Sequence, residues 1–263
     1  MSTLNSSLNA EESLSQPSVR KIGLADLRDA LRKGIDDFAA MPTHSIFLIV
    51  IYPIVGIILL RLSFGYDVLP VVFPLVAGYA LLGPLAAIGL YEMSRRREQG
   101  LPHSWEALRV FNLLRVRSIA TLGVILMVIF LAWLAAAMIV YQNTFGTWTP
   151  ASFAEFGRQV FSTPEGWTLI LVGCGVGFLF ALLSFAVGVV SFPMLVDRDV
   201  GVATAVQTSI RAVAANPVTM AVWGLIVAGA LLIGSLPVLI GLTVVLPVLG
   251  HSTWHLYRKL VEH

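Results

Sequence analysis

Long uncharged apolar blocks alternate along this chain with short charged segments that follow a helical period. A helix crosses about 30 Å of hydrocarbon in ~20 residues, because every backbone polar group must find its partner within the segment. The first block, Ser45–Leu60, is closed by Arg61 and interrupted by Pro53. The second runs from Val68 to Tyr91 between Asp67 and Glu92, and the third from Ser118 to Gln142 directly after Arg117. The fourth lies within Gly166–Val196 and ends at Asp197-Arg198-Asp199. A last block, Ala212–Tyr257, is too long for one helix, and Gly234-Ser235-Leu236-Pro237 is a turn signal in its middle. It divides into Pro217–Ile233 and Leu236–Tyr257. The pattern predicts an all-α membrane protein with six transmembrane helices.

The charged segments have their own pattern. Leu24, Leu27, Leu31, Ile35 and Phe38 fall on one helical face, and Asp26, Asp29, Arg32, Lys33, Asp36 and Asp37 on the other. This predicts an amphipathic helix lying on the membrane surface. A second such segment, Gly201–Ala215, carries Val206, Ile210 and Val213. Aligning Pro42 with Pro217 pairs Ile35 with Ile210, Phe38 with Val213 and Ala40 with Ala215. His103–Arg117 fits less well but places Trp105, Leu108 and Leu114 ahead of the third span. Pro84, Pro193 and Pro247 mark the later helix of each hairpin, with basic residues following. The expectation is three repeats of an interfacial helix plus a transmembrane hairpin, covering 22–100, 101–199 and 200–263. Residues 1–20, polar and without a cleavable signal pattern, read as a disordered cytoplasmic tail ahead of one membrane domain, 21–263.

Orientation follows from Lys and Arg in the short loops. One side of the six-span arrangement receives fifteen of the chain's 17 Lys and Arg, and the other only Arg61 and Arg158. The basic side is cytoplasmic, so both termini are expected there, in a bacterial inner membrane. The largest external segment is Asn143–Trp167, where Phe153, Phe156 and Val160 predict a short helix on the outer membrane surface.

Composition agrees with immersion in lipid. Apolar residues make up 57%, charged residues 12%, and mean hydropathy is +0.85, whereas a soluble domain carries about a quarter of its residues charged. A net charge of +2 gives no reason to expect a nucleic-acid partner. The single cysteine, Cys174, excludes an internal disulfide framework.

Three stretches resemble a known family: Phe192-Pro193-Met194-Leu195-Val196-Asp197-Arg198; Ala215-Asn216-Pro217 with Trp223; and Leu246-Pro247-Val248-Leu249-Gly250-His251 through Trp254-His255-Leu256-Tyr257-Arg258. The family comprises bacterial multi-pass integral membrane proteins of unknown function, and the resemblance covers most of the chain from about residue 20. Members sometimes carry a label likening them to cytochrome c oxidase subunit I. The residues here argue against that likeness. None of the five histidines, His44, His103, His251, His255 and His263, sits at the centre of a predicted span to ligate haem or copper, and six spans are too few for an oxidase core.

His251 and His255, four apart, share a helical face and are the candidate metal ligands. No acidic or cysteine partner is expected to adjoin them, and Trp254 and Tyr257 read as an interfacial aromatic belt. Gly173-Cys174-Gly175-Val176-Gly177 contains a G-x-x-x-G suited to close helix approach rather than a phosphate loop. The apolar centres of the predicted spans hold no Asp, Glu, Lys or Arg, so ion coupling is not expected. The sequence therefore predicts no catalytic residue, cofactor or bound metal. It predicts a structural or accessory component of the bilayer, with a membrane-protein partner or homo-oligomer possible. The alternative is a carrier or channel-like protein for a neutral or lipid-like solute.

Overall fold

The computed structural model describes residues 17–43, 50, 54, 58, 69–101, 113–236 and 240–262. Apart from residues 50, 54 and 58 the predicted first span falls outside them, as do most of the middle interfacial segment, including His103, Trp105 and Leu108, and the histidines His44 and His263. Among the described residues every regular element is helical, apart from one antiparallel bridge between Val19 and Val261. The helices are α1 (Leu24–Ala40), α2 (Leu69–Tyr79), α3 (Gly83–Ala86), α4 (Ile88–Glu98), α5 (Leu113–Phe145), α6 (Phe153–Ser162), α7 (Pro164–Gly188), α8 (Ser191–Asp197), α9 (Val202–Ala215), α10 (Pro217–Ser235) and α11 (Leu242–Leu260).

Three helices among the described residues are long and apolar enough to cross a membrane: α5, the continuous run Pro164–Asp197 formed by α7 and α8, and α10. They coincide with the third, fourth and fifth predicted spans. The second is not one helix. Proline has no N–H to donate and crowds the preceding turn; Pro74 lies inside α2, Pro84 starts α3, and the 3₁₀ turn Ala80–Leu82 joins the two. The helix of the sixth predicted span, α11, begins at Leu242 rather than Leu236, and its second half is polar and buried.

Within the bundle, α2, α5 and α7 meet around Trp133. Its indole N–H donates to the Pro74 carbonyl at 2.8 Å, and its rings lie 5.9 Å from Phe180. Gly78 and Gly177 give it room: a Cβ on either would fall 2.5 Å or 3.0 Å from the indole. Of the G-x-x-x-G stretch only Gly177 is used in this way, while Gly173 and Gly175 face open space. Outside the bundle, α6 forms where the phenylalanine spacing predicts it, with Ser152 capping its start. Tyr141 donates to the Trp148 carbonyl at 2.6 Å and stacks with Phe145, so the connection into α6 is ordered by aromatic rings.

At the opposite end three helix tails, α4, α8 and α11, pack pairwise on one another. They build a core of Leu90, Tyr91, Phe192, Leu195, Trp254 and Tyr257, with Trp223 from α10. Helix α9 packs on α8, and α1 runs antiparallel along α11, with Asp26 near Lys259 and Asp37 near His255. The close approach is permitted by small residues: Ala30 is fully buried, and a Cβ on Gly34 would fall 2.0 Å from Ser252 Oγ.

This packing divides the stripe expected on α1. Leu27 is buried with Ala30, Gly34 and Asp37, whereas Leu24 and Ile35 are 58% and 52% exposed. The helix thus has three faces: one of small residues against α11, an apolar exposed flank, and a charged flank. Asp37, which the sequence pattern places on the solvated face, is on the first of these.

Candidate functional site

The most concentrated polar chemistry in the described residues lies where α1, α4 and α11 meet. Asp37 is 3% exposed. Its Oδ2 accepts from the Ser94 hydroxyl at 2.6 Å and from His255 Nε2 at 2.8 Å, and Arg97 donates to Oδ1. His251 Nδ1 lies 2.7 Å from Ser94 Oγ and 4.0 Å from Asp37 Oδ2. The sequence-predicted pair His251 and His255 is therefore joined by an acid from the other end of the chain. That corrects the expectation of an aromatic-belt segment without an acidic neighbour.

Burial alone would push the Asp37 carboxyl up, but the hydrogen bonds from His255 and Ser94, the positive field of His255 and the Arg97 contact bring it down to about 2. Asp26, held by the Gly23 N–H and Lys259, and Asp29, held by Lys259 and Lys33, also lie below the usual aspartate range. A carboxylate depressed below its unfolded value near 3.9 stabilises the fold fully above that pH and loses the contribution as pH falls through its folded value. Relative to its own protonated form, ionised Asp37 is worth roughly 2–3 kcal/mol to the fold on this basis. The contribution of Asp37 to the docking of α1 should therefore be lost between about pH 4 and 2. Pulsed hydrogen exchange of residues 24–40 in lipid nanodiscs measures this; protection unchanged down to pH 2 would show that ionised Asp37 does not hold the helix.

The arrangement is not a nucleophilic triad. A relay needs the acid on the far nitrogen of the histidine that activates the serine, whereas here Asp37 binds Ser94 directly and the serine is fully buried inside a helix. Nor does it suit a divalent cation as it stands. The Asp37 oxygens are taken by three donors, Ser94 occupies His251 Nδ1, and the Arg97 guanidinium sits where a cation would be repelled.

The neighbouring contacts extend the same logic. Glu92 is buried and accepts from Arg95 at 2.7 Å and Arg96 at 2.9 Å. Trp254 and Arg258 each donate to Glu98 at 3.1 Å, and Tyr257 donates to Asp197 at 2.7 Å. Lys259 reaches Asp26 at 3.2 Å and Asp29 at 2.9 Å. Asn216 fastens the entry into α1: its Oδ1 accepts from the Ile22 N–H at 2.8 Å and its Nδ2 donates to the Arg20 carbonyl at 3.0 Å. The Arg20 N–H completes the closure on the Leu260 carbonyl at 2.8 Å. Asp37, Ser94 and Arg97 escaped the sequence reading. The available signal was the Ala30-x-x-x-Gly34 spacing, whose face continues through Asp37.

Residues 72–197 match the model of a family described as predicted integral membrane protein (DUF2189), the family of membrane proteins of unknown function that the sequence resembles. Of the stretches that carry the resemblance, Phe192–Asp197 lies inside the match and the others follow it. No curated protein and no solved structure matches the chain.

Proposed function

We propose that the chain is a six-span protein of the bacterial cytoplasmic membrane, with both termini in the cytoplasm, acting without catalysis as a structural or accessory component. The observation that carries this reading is the cap formed by α1, α4, α8, α9 and α11. Among the described residues, ionisable groups gathered at that end of the bundle bind one another. The basic residues on these elements belong to the set assigned to the cytoplasm by the positive-inside rule.

The three-repeat architecture draws support from the register of α1 and α9. With Pro42 aligned to Pro217, Ala30, Gly34, Asp37 and Met41 correspond to Ala205, Ser209, Ala212 and Asn216, all buried. Ile35 and Ile210, also equivalent, remain 52% and 46% exposed, as side chains facing a bilayer surface would. The helices end alike, at Met41 with φ −135° and ψ 47° and at Asn216 with φ −130° and ψ 49°. In this scheme α9 packs on the tail of the preceding unit, and α1 returns to the tail of the last unit, closing a ring.

Reporter fusions test the reading. Fusions after Gln142 and at residue 235 should report an external location, and fusions after Gln99, Asp199 and His263 a cytoplasmic one. An external C-terminus would exclude six spans. A stoichiometric membrane partner retained in mild detergent favours the accessory role, and solute flux by the protein alone in liposomes would replace it with that of a carrier.

A further inference from the structure

Helices α1 and α9 present nearly the same docking face. Ala30 and Ala205 are fully buried at equivalent positions, Gly34 and Ser209 follow one turn later, and the C-terminal caps coincide. Shape alone therefore does little to keep α1 out of the α9 seat, since Gly34 is smaller than the Ser209 accepted there. The two faces differ most in charge at one buried position, Asp37 in α1 against Ala212 in α9. Beside Asp37, α4 and α11 supply Ser94, Arg97 and His255. Among the described residues, α8 at the seat of α9 offers no such set. Helix α8 carries buried Phe192, Pro193, Met194, Leu195 and Val196; the Ser191 hydroxyl is committed to the Val187 carbonyl, and the Val190 N–H to Ser209.

We infer that the Asp37 cluster is a pairing code that directs α1 to α11 and α4 and bars it from the α8 seat of its look-alike. The reasoning is one of differences. A carboxylate buried with matched donors roughly breaks even against an apolar side chain, whereas the same carboxylate buried without them is strongly unfavourable. Relative to alanine, Asp37 thus adds little to docking at the correct seat and forbids docking at the wrong one. That α9 docks with alanine at this position shows that the small-residue face suffices for attachment.

The test separates a code from ordinary adhesion. In full-length protein in native membranes, with Cys174→Ser, Ala30→Cys reports docking of α1 through its maleimide labelling rate, and Ala205→Cys reports α9 in a parallel chain. Asp37→Ala alone should leave Ala30→Cys protected to within about threefold of the parent. Removing the receptor with Ser94→Ala, Arg97→Met and His255→Leu while Asp37 is retained should raise labelling at least about tenfold, since the acid is then buried without its three donors. Adding Asp37→Ala to that variant should restore protection. The Ala205→Cys chain should stay protected throughout, which distinguishes undocking of α1 from general unfolding; if both sites become exposed, rescue by Asp37→Ala still decides. The inference is overturned if Asp37→Ala alone exposes Ala30→Cys, if receptor removal has no effect, or if Asp37→Ala fails to rescue.

Discussion

Replacing Gly34 by valine should detach α1 from α11 and abolish crosslinking between cysteines placed at Asp26 and Lys259. A Cβ at residue 34 would fall 2.0 Å from Ser252 Oγ and 2.6 Å from the Ser252 nitrogen. The second contact is with backbone, so no side-chain rotation relieves it. Overpacking a tight interface costs about 1–3 kcal/mol when neighbours can shift. Here the two helices must separate, which also uncovers Leu27, a side chain contributing roughly 1.5–3 kcal/mol when fully buried. The sum corresponds to at least about a tenfold loss of crosslinking, since tenfold is ~1.4 kcal/mol. The equivalent residue in α9 is Ser209, whose hydroxyl accepts the Val190 N–H at 3.1 Å. Gly34→Ser should therefore be as damaging as its counterpart is harmless, and a crosslink that survives it would show that the α1–α11 approach is looser than described.

Trp133→Ala should be the most destabilising single truncation within the apolar bundle. The indole fills the space between α2, α5 and α7, with Gly78 and Gly177 against its rings. Truncating a buried aromatic residue typically costs about 3–5 kcal/mol through the cavity left behind. Helices in lipid associate by packing rather than by expelling water, so the loss falls directly on the contacts of α5 with its neighbours. The Pro74 carbonyl also loses its indole donor. Trp133→Phe keeps most of the ring and should cost about 1–2 kcal/mol, near the value of the hydrogen bond with some packing. Reversible unfolding in mixed micelles distinguishes the two, and equal effects would mean that the hydrogen bond, not the ring volume, holds the junction.

How much of this was legible in the sequence depended on how many neighbours a helix has. The apolar runs that became α5, α7 with α8, and α10 are surrounded by lipid or by other apolar helices, so length and hydropathy alone place them. The spacing of Phe153, Phe156 and Val160 gave α6 for the same reason, because it has a single apolar face. Helix α1 has two environments besides water. A two-sided reading merged Leu27, which is buried, with Leu24 and Ile35, which are not, and assigned Asp37 to solvent. The donors that make a buried Asp37 tolerable, Ser94, Arg97 and His255, lie far away in sequence, and no local pattern signals their arrival. Glu92 was likewise hidden, because Arg95 and Arg96 wrap it from the next turn of its own helix. The bends in the second predicted span follow from Pro74 and Pro84, which were visible but not used as breaks.

The first and last of the described helices close on each other, and in the proposed orientation they do so at the cytoplasmic face. A short bismaleimide applied to membranes from cells carrying Asp26→Cys, Lys259→Cys and Cys174→Ser tests it, because the native side chains meet at 3.2 Å. The account predicts a crosslink within single chains that forms readily in inverted vesicles and that a membrane-impermeant thiol reagent does not block when added to intact cells. Crosslinks formed only between chains, or blocked from outside the cell, would contradict it.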